Sequence, residues 1–321
     1  MSLKLSLVLA AWGTLLSTAA IAADYPAQPV RLVVPYPPGG PVDFVARTLS
    51  VPLGQELGQA IVIDNKGGAG GNIAAAEVAR AKPDGYTLSL VYETHATTNL
   101  FYRNYKFDAF QSFDYISLVG QSPLVLLTSR ESGLDNLAKL TAALREQPGQ
   151  LNQAITGPGD ASVLKPELMH QALKTKVTYV PFPGTAPAMT SLAGGQIDIG
   201  LVSVTAALPL IAGKRVTAIG VGSKGPLATL PGVPSIDSVL PGFESAAWVG
   251  IVAPKGLPPA VLAKLSAAVH KVLESPKVRS QLEGSSFVII NGDQEAFLQR
   301  ARADYKEAEA LIARGVLKPE E

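Results

Sequence analysis

Three glycine-rich segments carry the chemistry this chain can offer. Pro38-Gly39-Gly40-Pro41-Val42-Asp43, Thr156-Gly157-Pro158-Gly159-Asp160-Ala161-Ser162 and Pro183-Gly184-Thr185 each join a strand-like run to a helical pattern. A helix N-terminus leaves backbone N–H groups without intrahelical acceptors, and the helix dipole is positive there, so carboxylates and other small anions are attracted. Glycine lets a ligand approach the backbone closely, and the hydroxyls of Ser162 and Thr185 add uncharged hydrogen bonds. One such loop is an ordinary turn. Three in a single chain point to the binding of a small anion.

Motifs for catalysis fail where they can be tested. Gly68-Ala69-Gly70-Gly71-Asn72-Ile73 follows a strand and opens a helix, but a dinucleotide fingerprint needs glycine where Ile73 stands, so a tight strand-to-helix turn is the better reading. There is no G-x-S-x-G elbow, no Walker loop and no H-E-x-x-H pair. Cysteine is absent, which excludes disulfides, thiolate metal sites and cysteine nucleophiles. Histidine occurs only at 95, 170 and 270, too few for a multi-histidine metal centre. His170 and His270 fall in helical patterns among surface-type residues and read as solvated. No metal and no cofactor are expected.

The elements that would position these loops alternate. Val30 to Val34 is a β-branched run, and Val42, Val45, Ala46, Leu49, Leu53 and Leu57 then recur at helical spacing, with Pro52 as a blemish in that pattern. Ile61 to Asp64 is a strand, Asn72 to Ala81 a helix, and Tyr86 to Tyr92 a strand. The rhythm repeats with strands at Leu124 to Thr128, Gln153 to Thr156, Val177 to Val180, Ile197 to Val202 and Val216 to Val221, and with helices from Asp135 and from Thr185. Towards the C-terminus, Pro258-Pro259 opens a helix striped by Val261, Leu265, Val269 and Val272. After a strand at Phe287 to Ile290, Asp293 caps a last long helix that Gly315 stops. Strands alternating with helices imply an α/β protein with largely parallel sheets.

The chain has 321 residues, 47% hydrophobic and 17% charged, enough for about two domains with a core that needs no staples. Lys+Arg is 27 against Asp+Glu 26, so there is no basic surplus for nucleic acid. Residues 1–22 place one charge, Lys4, before the apolar run Leu5 to Leu16 and end in Ala20-Ile21-Ala22, the order of a cleaved secretory signal. The apolar run is shorter than the roughly 20 residues a spanning helix needs, so export to a periplasm is expected rather than anchoring.

Further segments make the chain recognisable. Tyr25-Pro26 through Val33-Val34-Pro35-Tyr36-Pro37-Pro38-Gly39-Gly40 resembles the opening of the Bug receptors, the extracytoplasmic solute receptors of the tripartite tricarboxylate transporter family. Asn65 to Ala74, Ala81-Lys82-Pro83-Asp84-Gly85-Tyr86, Val180 to Ala188, Leu192 to Asp198 and Leu230-Pro231-Gly232-Val233-Pro234-Ser235 follow in the same order. The resemblance spans the mature chain. It implies a type II periplasmic binding fold, a Venus flytrap of two α/β lobes with a ligand cleft between them. Lobe 1 would be 23–123 plus 246–321 and lobe 2 would be 124–245. It also implies no enzymatic activity, a monomer, a small carboxylate ligand and membrane transporter subunits as partners. Carried over, Pro38, Gly39, Gly40 and Asp43 match the first ligand loop, Gly157, Gly159 and Ser162 the second, and Gly184, Thr185 and Pro187 the third. Asp43 has two readings, ligand contact or helix cap.

The sequence departs from the family pattern at several places. Val202-Ser203 stands where many relatives carry an acidic residue suited to an ammonium, which weakens an amino-acid ligand and leaves Ser203 at that place. In the loop from Tyr92 to Asn99, Glu93 and His95 replace small hydroxylated residues. Two readings stand for this pair: side chains entering the cleft, or side chains in solvent at its rim. The function implied is capture of a mono- or dicarboxylate for a transporter. A ligand sensor docking on a membrane signalling protein, or a periplasmic lyase or hydrolase using Glu93 and His95, are the alternatives.

Overall fold

The computed structural model describes residues 25–102, 104–105, 107–156, 161–315 and 317. In chain order they form β1 (Val30–Val34), α1 (Pro41–Leu57), β2 (Ile61–Asn65), α2 (Asn72–Val78), β3 (Thr87–Tyr92), α3 (Thr94–Phe101) and β4 (Phe113–Ser129). Then come α4 (Leu137–Glu146), β5 (Asn152–Ile155), α5 (Ala161–Leu173), β6 (Thr178–Pro181), α6 (Thr185–Ala193), β7 (Ile199–Ser203), α7 (Val204–Ala212) and β8 (Val216–Val221). The chain ends with β9 (Ala246–Pro254), α8 (Pro259–Glu274), α9 (Pro276–Glu283), β10 (Val288–Gly292) and α10 (Gln294–Ala313). The export signal expected in residues 1–22 lies outside the described residues. Among the described residues, no helix is long and apolar enough to cross a membrane.

Two sheets share one strand. β1 lies between β2 and β3, all parallel, and β9 adds antiparallel to β3. β4 pairs with β9 through Phe113 to Pro123, then passes into the second sheet, where Leu124 to Ser129 pair with β7 and β8. There β5 lies parallel between β6 and β7. The expected largely parallel sheets therefore need correction. β4 and β9 run antiparallel along the middle of the molecule, and β7, β8 and β10 each pair antiparallel with β4. Register shifts near Tyr115 to Ser117 and Leu118 to Gly120 let the long strand twist from one sheet towards the other. The result is two α/β lobes.

The first lobe is held by the helix faces that periodicity marks. Val42, Val45, Ala46, Leu49, Leu53 and Leu57 of α1 are all buried, as are Val261, Leu265, Val269 and Val272 of α8, in one core with Leu32, Leu90 and Ile251. Each fully buried aliphatic side chain contributes about 1.5–3 kcal/mol. α1 runs through Pro52 and closes at Gly58, whose φ of 79° needs glycine. The second lobe packs α4, α6 and α7 on both faces of the second sheet. Asp293 caps α10, accepting from the Ala296 N–H at 2.9 Å.

Candidate functional site

Between the lobes lies a cleft of about 350 Å³, counted to its open mouth. Tyr36, Pro37, Gly40, Pro41 and Val42 form one wall, where β1 turns into α1, and Tyr92 comes from the end of β3. Thr156, at the end of β5, and Gly184 to Pro187, which open α6, form the other. A methyl group built on Gly184 would sit 3.4 Å from Pro37 Cδ, so the two walls meet at their edge. No lining side chain is ionisable except the two tyrosines. Two helices thus point their N-terminal turns into one uncharged space. In each first turn the N–H groups have no intrahelical acceptor, and Pro41 and Pro187 supply none, which leaves Val42, Thr185 and Ala186 as the donors among the residues that line the cleft. That arrangement can hold a carboxylate by backbone donors alone.

The structure divides the residues singled out from the sequence. Gly40, Gly184, Thr185 and Pro187 line the cleft. Pro38 and Gly39 are exposed on the loop beside it. Asp43 is buried and turned inward. Its carboxylate accepts from the Gly39 N–H at 2.9 Å, from Arg47 Nε at 2.8 Å and from Asn65 Nδ2 at 3.0 Å. Burial opposes its charge, but these donors outweigh that and hold its pKa below the usual carboxylate value. Asp43 therefore fixes the shape of the first loop. Ser162 performs a similar task in the second, accepting from the Thr156 N–H at 2.9 Å. Gly157 and Gly159 lie outside the described residues. Ser203 is buried at the end of β7, where its hydroxyl caps α7 by accepting from Ala206.

Glu93 and His95 meet neither of their two readings. The segment expected as a loop is the helix α3, and both side chains are buried rather than solvated at a rim. Neither lines the cleft. Glu93 borders a separate space between the lobes, with Lys165, Arg300 and Glu307. His95 points into an aromatic group, 4.8 Å edge-on from Phe113 and 6.4 Å from the stacked ring of Phe107. Burial pushes its pKa down to about 4. His170 also corrects the sequence reading. It is buried, with Nδ1 2.9 Å from Thr175 Oγ1 and Nε2 2.9 Å from Gln153 Oε1, because the helix face that carries it packs on β5 and β7.

Sequence reasoning passed over Tyr36 and Tyr92, the aromatic walls of the cleft. Their rings meet edge-on at 5.8 Å, and Tyr36 Oη is 2.8 Å from Thr94 Oγ1. The signal was there for Tyr36, an aromatic residue between Pro35 and Pro37 immediately before the first glycine loop. Tyr92 had none, because only the pairing of β3 with β1 and β9 brings it there.

Comparison with known proteins gives a consistent picture. The profile described as tripartite tricarboxylate transporter family receptor matches residues 45–316. The protein BugT of Bordetella pertussis is 31% identical over 91% of this chain and 93% of its own length. The structure of R. palustris Rpa4515 with adipate superposes with a TM-score of 0.89 at 27% identity, covering 92% of this chain and all of that one. That of MatC (Rpa3494) from Rhodopseudomonas palustris with bound malate gives 0.84 at 31% identity, over 90% of this chain and all of that one.

Proposed function

Since the chain belongs to the tripartite tricarboxylate transporter receptor family, a family of solute-binding proteins and not of enzymes, we propose that it captures a small organic acid, mono- or dicarboxylate, and presents it to membrane transporter subunits. The observation that carries this reading is the pair of helix N-termini, α1 from one lobe and α6 from the other, facing across an uncharged cleft. A carboxylate there gains N–H donors from both sides, and lobe closure strips its water among donors that are already oriented. The adipate and malate held by the two R. palustris neighbours support an acid as ligand.

In this reading residues 1–22 direct export and are removed, and the mature protein works as a periplasmic monomer. Lobe 1 is 23–123 plus 246–321 and lobe 2 is 124–245. Gly40, Gly184, Thr185 and Pro187 touch the ligand, while Gly39, Asp43 and Ser162 keep the loops in shape. The test is thermal unfolding of the mature chain, stripped of ligand, against mono-, di- and tricarboxylates, aromatic acids, amino acids and neutral sugars. Binding to the native state alone stabilises by about 2.7 kcal/mol at a hundredfold excess over Kd. A raised midpoint with one acid class is expected. A response only to sugars or cationic solutes would overturn the carboxylate assignment.

A further inference from the structure

Among the described residues, none that lines the cleft carries a charge at neutral pH, and residues 157–160, which follow Thr156, contain no lysine or arginine. α6 has no ionisable residue along its whole length. The one cation of α1, Arg47, is turned to Asp43, with Nε 2.8 Å from one carboxylate oxygen and Nη2 3.1 Å from the other. Lys165 is bound to Glu307 at 2.6 Å and borders the separate space that Glu93 also lines. A ligand in the cleft therefore meets no cation of these elements.

The donors that face the cleft are few as well. Val42, Thr185 and Ala186 offer N–H groups, and Thr185 adds a hydroxyl. One ionised carboxylate has about four lone-pair sites on its two oxygens, so it takes up this whole set. Pro41 and Pro187 each remove a first-turn N–H that another residue would supply. The hydroxyl of Tyr36 is engaged within its own lobe, donating to the Gly70 carbonyl at 3.4 Å and lying 2.8 Å from Thr94 Oγ1. A second carboxylate would find at most the neutral hydroxyls of Tyr92 and Thr156. Withdrawing an ionised carboxylate from water without a cation or a full set of donors is costly. The remaining wall, with the rings of Tyr36 and Tyr92 and the side chains of Pro37, Val42 and Pro187, gains instead by covering hydrocarbon.

We propose that the cleft selects acids with a single carboxylate on an apolar body, an alkyl chain or one aromatic ring, against acids with two carboxylates. The inference rests on the receptor reading above and narrows its ligand. The class differs from the adipate and malate held by the two R. palustris neighbours. Calorimetric titration of the stripped mature protein at pH 7 with matched acids tests it: hexanoate against adipate, butyrate against succinate, benzoate against terephthalate. In every pair that binds, the acid with one carboxylate binds about tenfold or more tightly, the penalty of one poorly partnered polar group. The monomethyl ester of adipate keeps the chain length and loses the second charge, and it binds within about threefold of hexanoate. Pro187→Arg returns an N–H and adds a cation to the wall, and it moves the ratio towards adipate by about tenfold or more. The parent pairs and the ester carry the test alone if that variant does not fold. A dicarboxylate that binds as tightly as its matched acid, an ester that binds no better than adipate, or a ratio that Pro187→Arg leaves unmoved would overturn the selectivity while sparing the receptor. Absence of binding by any acid would instead overturn the receptor reading and the selectivity with it.

Discussion

Lys165 Nζ lies 2.6 Å from Glu307 Oε2, tying α5 of the second lobe to α10 of the first. The pair is not an isolated surface contact. Lys165 is 16% exposed, and beside it Val163 and Leu164 pack with Phe101, Ala308 and Leu311 in a cluster that draws on both lobes. The lobes are thus held together away from the crossing strands as well as by them. A contact between the lobes favours the arrangement that contains it, and where that arrangement is the one that binds ligand, apparent affinity scales with its population.

Lys165→Met keeps the apolar stem and removes the charge. Partly exposed pairs contribute about 0.2–1 kcal/mol, so ligand affinity should fall by at most about fivefold. The unliganded protein should also become measurably more extended in small-angle X-ray scattering. Unchanged affinity together with unchanged scattering would show that the pair does not bias closure.

Gly184 is a point of close approach between the cleft walls, facing Pro37. Its φ of 165° is ordinary extended backbone, so a side chain is not excluded by conformation. A methyl group there would meet Pro37 at an ordinary contact distance of 3.4 Å, so it is the longer branch of a larger side chain that Pro37 opposes. Gly184→Leu should prop the lobes apart and weaken ligand binding about tenfold or more, the usual cost of overpacking. The melting temperature of the unliganded protein should hardly move. Binding as tight as that of the parent would remove Gly184 from the closed contact.

How much of this was legible in the residues depends on the range of the interactions. β1 and α1 were readable because their buried positions recur at local spacing, and the turn that links them carries its own glycines. The first half of β4 was not. Phe113 to Pro123 mixes polar residues with Gly120 and Pro123, and its strand character comes from pairing with β9, more than a hundred residues later. α3 was read as a loop because Thr94, Thr97 and Thr98 are poor helix formers, and burial against the first-lobe core overrides that preference. His170 was misread because its neighbours Lys165, Glu167 and Gln171 suggest a wet helix, while Gln153, which satisfies it, lies on another element. The glycine loops of the cleft were visible in the sequence. The recess that Asn72 and His95 both border was not, since only the fold brings these residues to one place.

Asp43 offers a test of loop shape independent of the ligand. Asp43→Asn keeps the size and removes the charge that Arg47, Gly39 and Asn65 are arranged around. A loss of about 1–3 kcal/mol in stability near neutral pH is expected, with weaker ligand binding because the loop from Gly39 to Pro41 relaxes. Gly39 itself sits at φ 87°, so Gly39→Val strains the same loop by about 1–3 kcal/mol without meeting any neighbouring atom. The lowered pKa of Asp43 fixes the sign with pH. Its contribution is complete above the ordinary carboxylate pKa of 3.8 and is lost as pH falls through the lower folded value. The difference between parent and Asp43→Asn should therefore shrink under strong acid, and a difference that grew there would contradict the network.

His95 and His170 impose a second acid sensitivity, at milder pH. Burial pushes both pKa values from 6.5 down to about 4, so the folded protein keeps both rings neutral while the unfolded chain protonates them below about 6.5. Above that pH neither state gains a proton and the two rings are silent. Between 6.5 and about 4 the unfolded chain binds more protons, so stability falls as pH falls, by about 1.4 kcal/mol per pH unit for each ring, and levels off below. Chemical denaturation at pH 7 and at pH 5 should show this loss in the parent and about half of it in His95→Phe, which retains His170 as the remaining buried ring. If the two proteins lost equal stability between those pH values, His95 would not be held neutral by the fold.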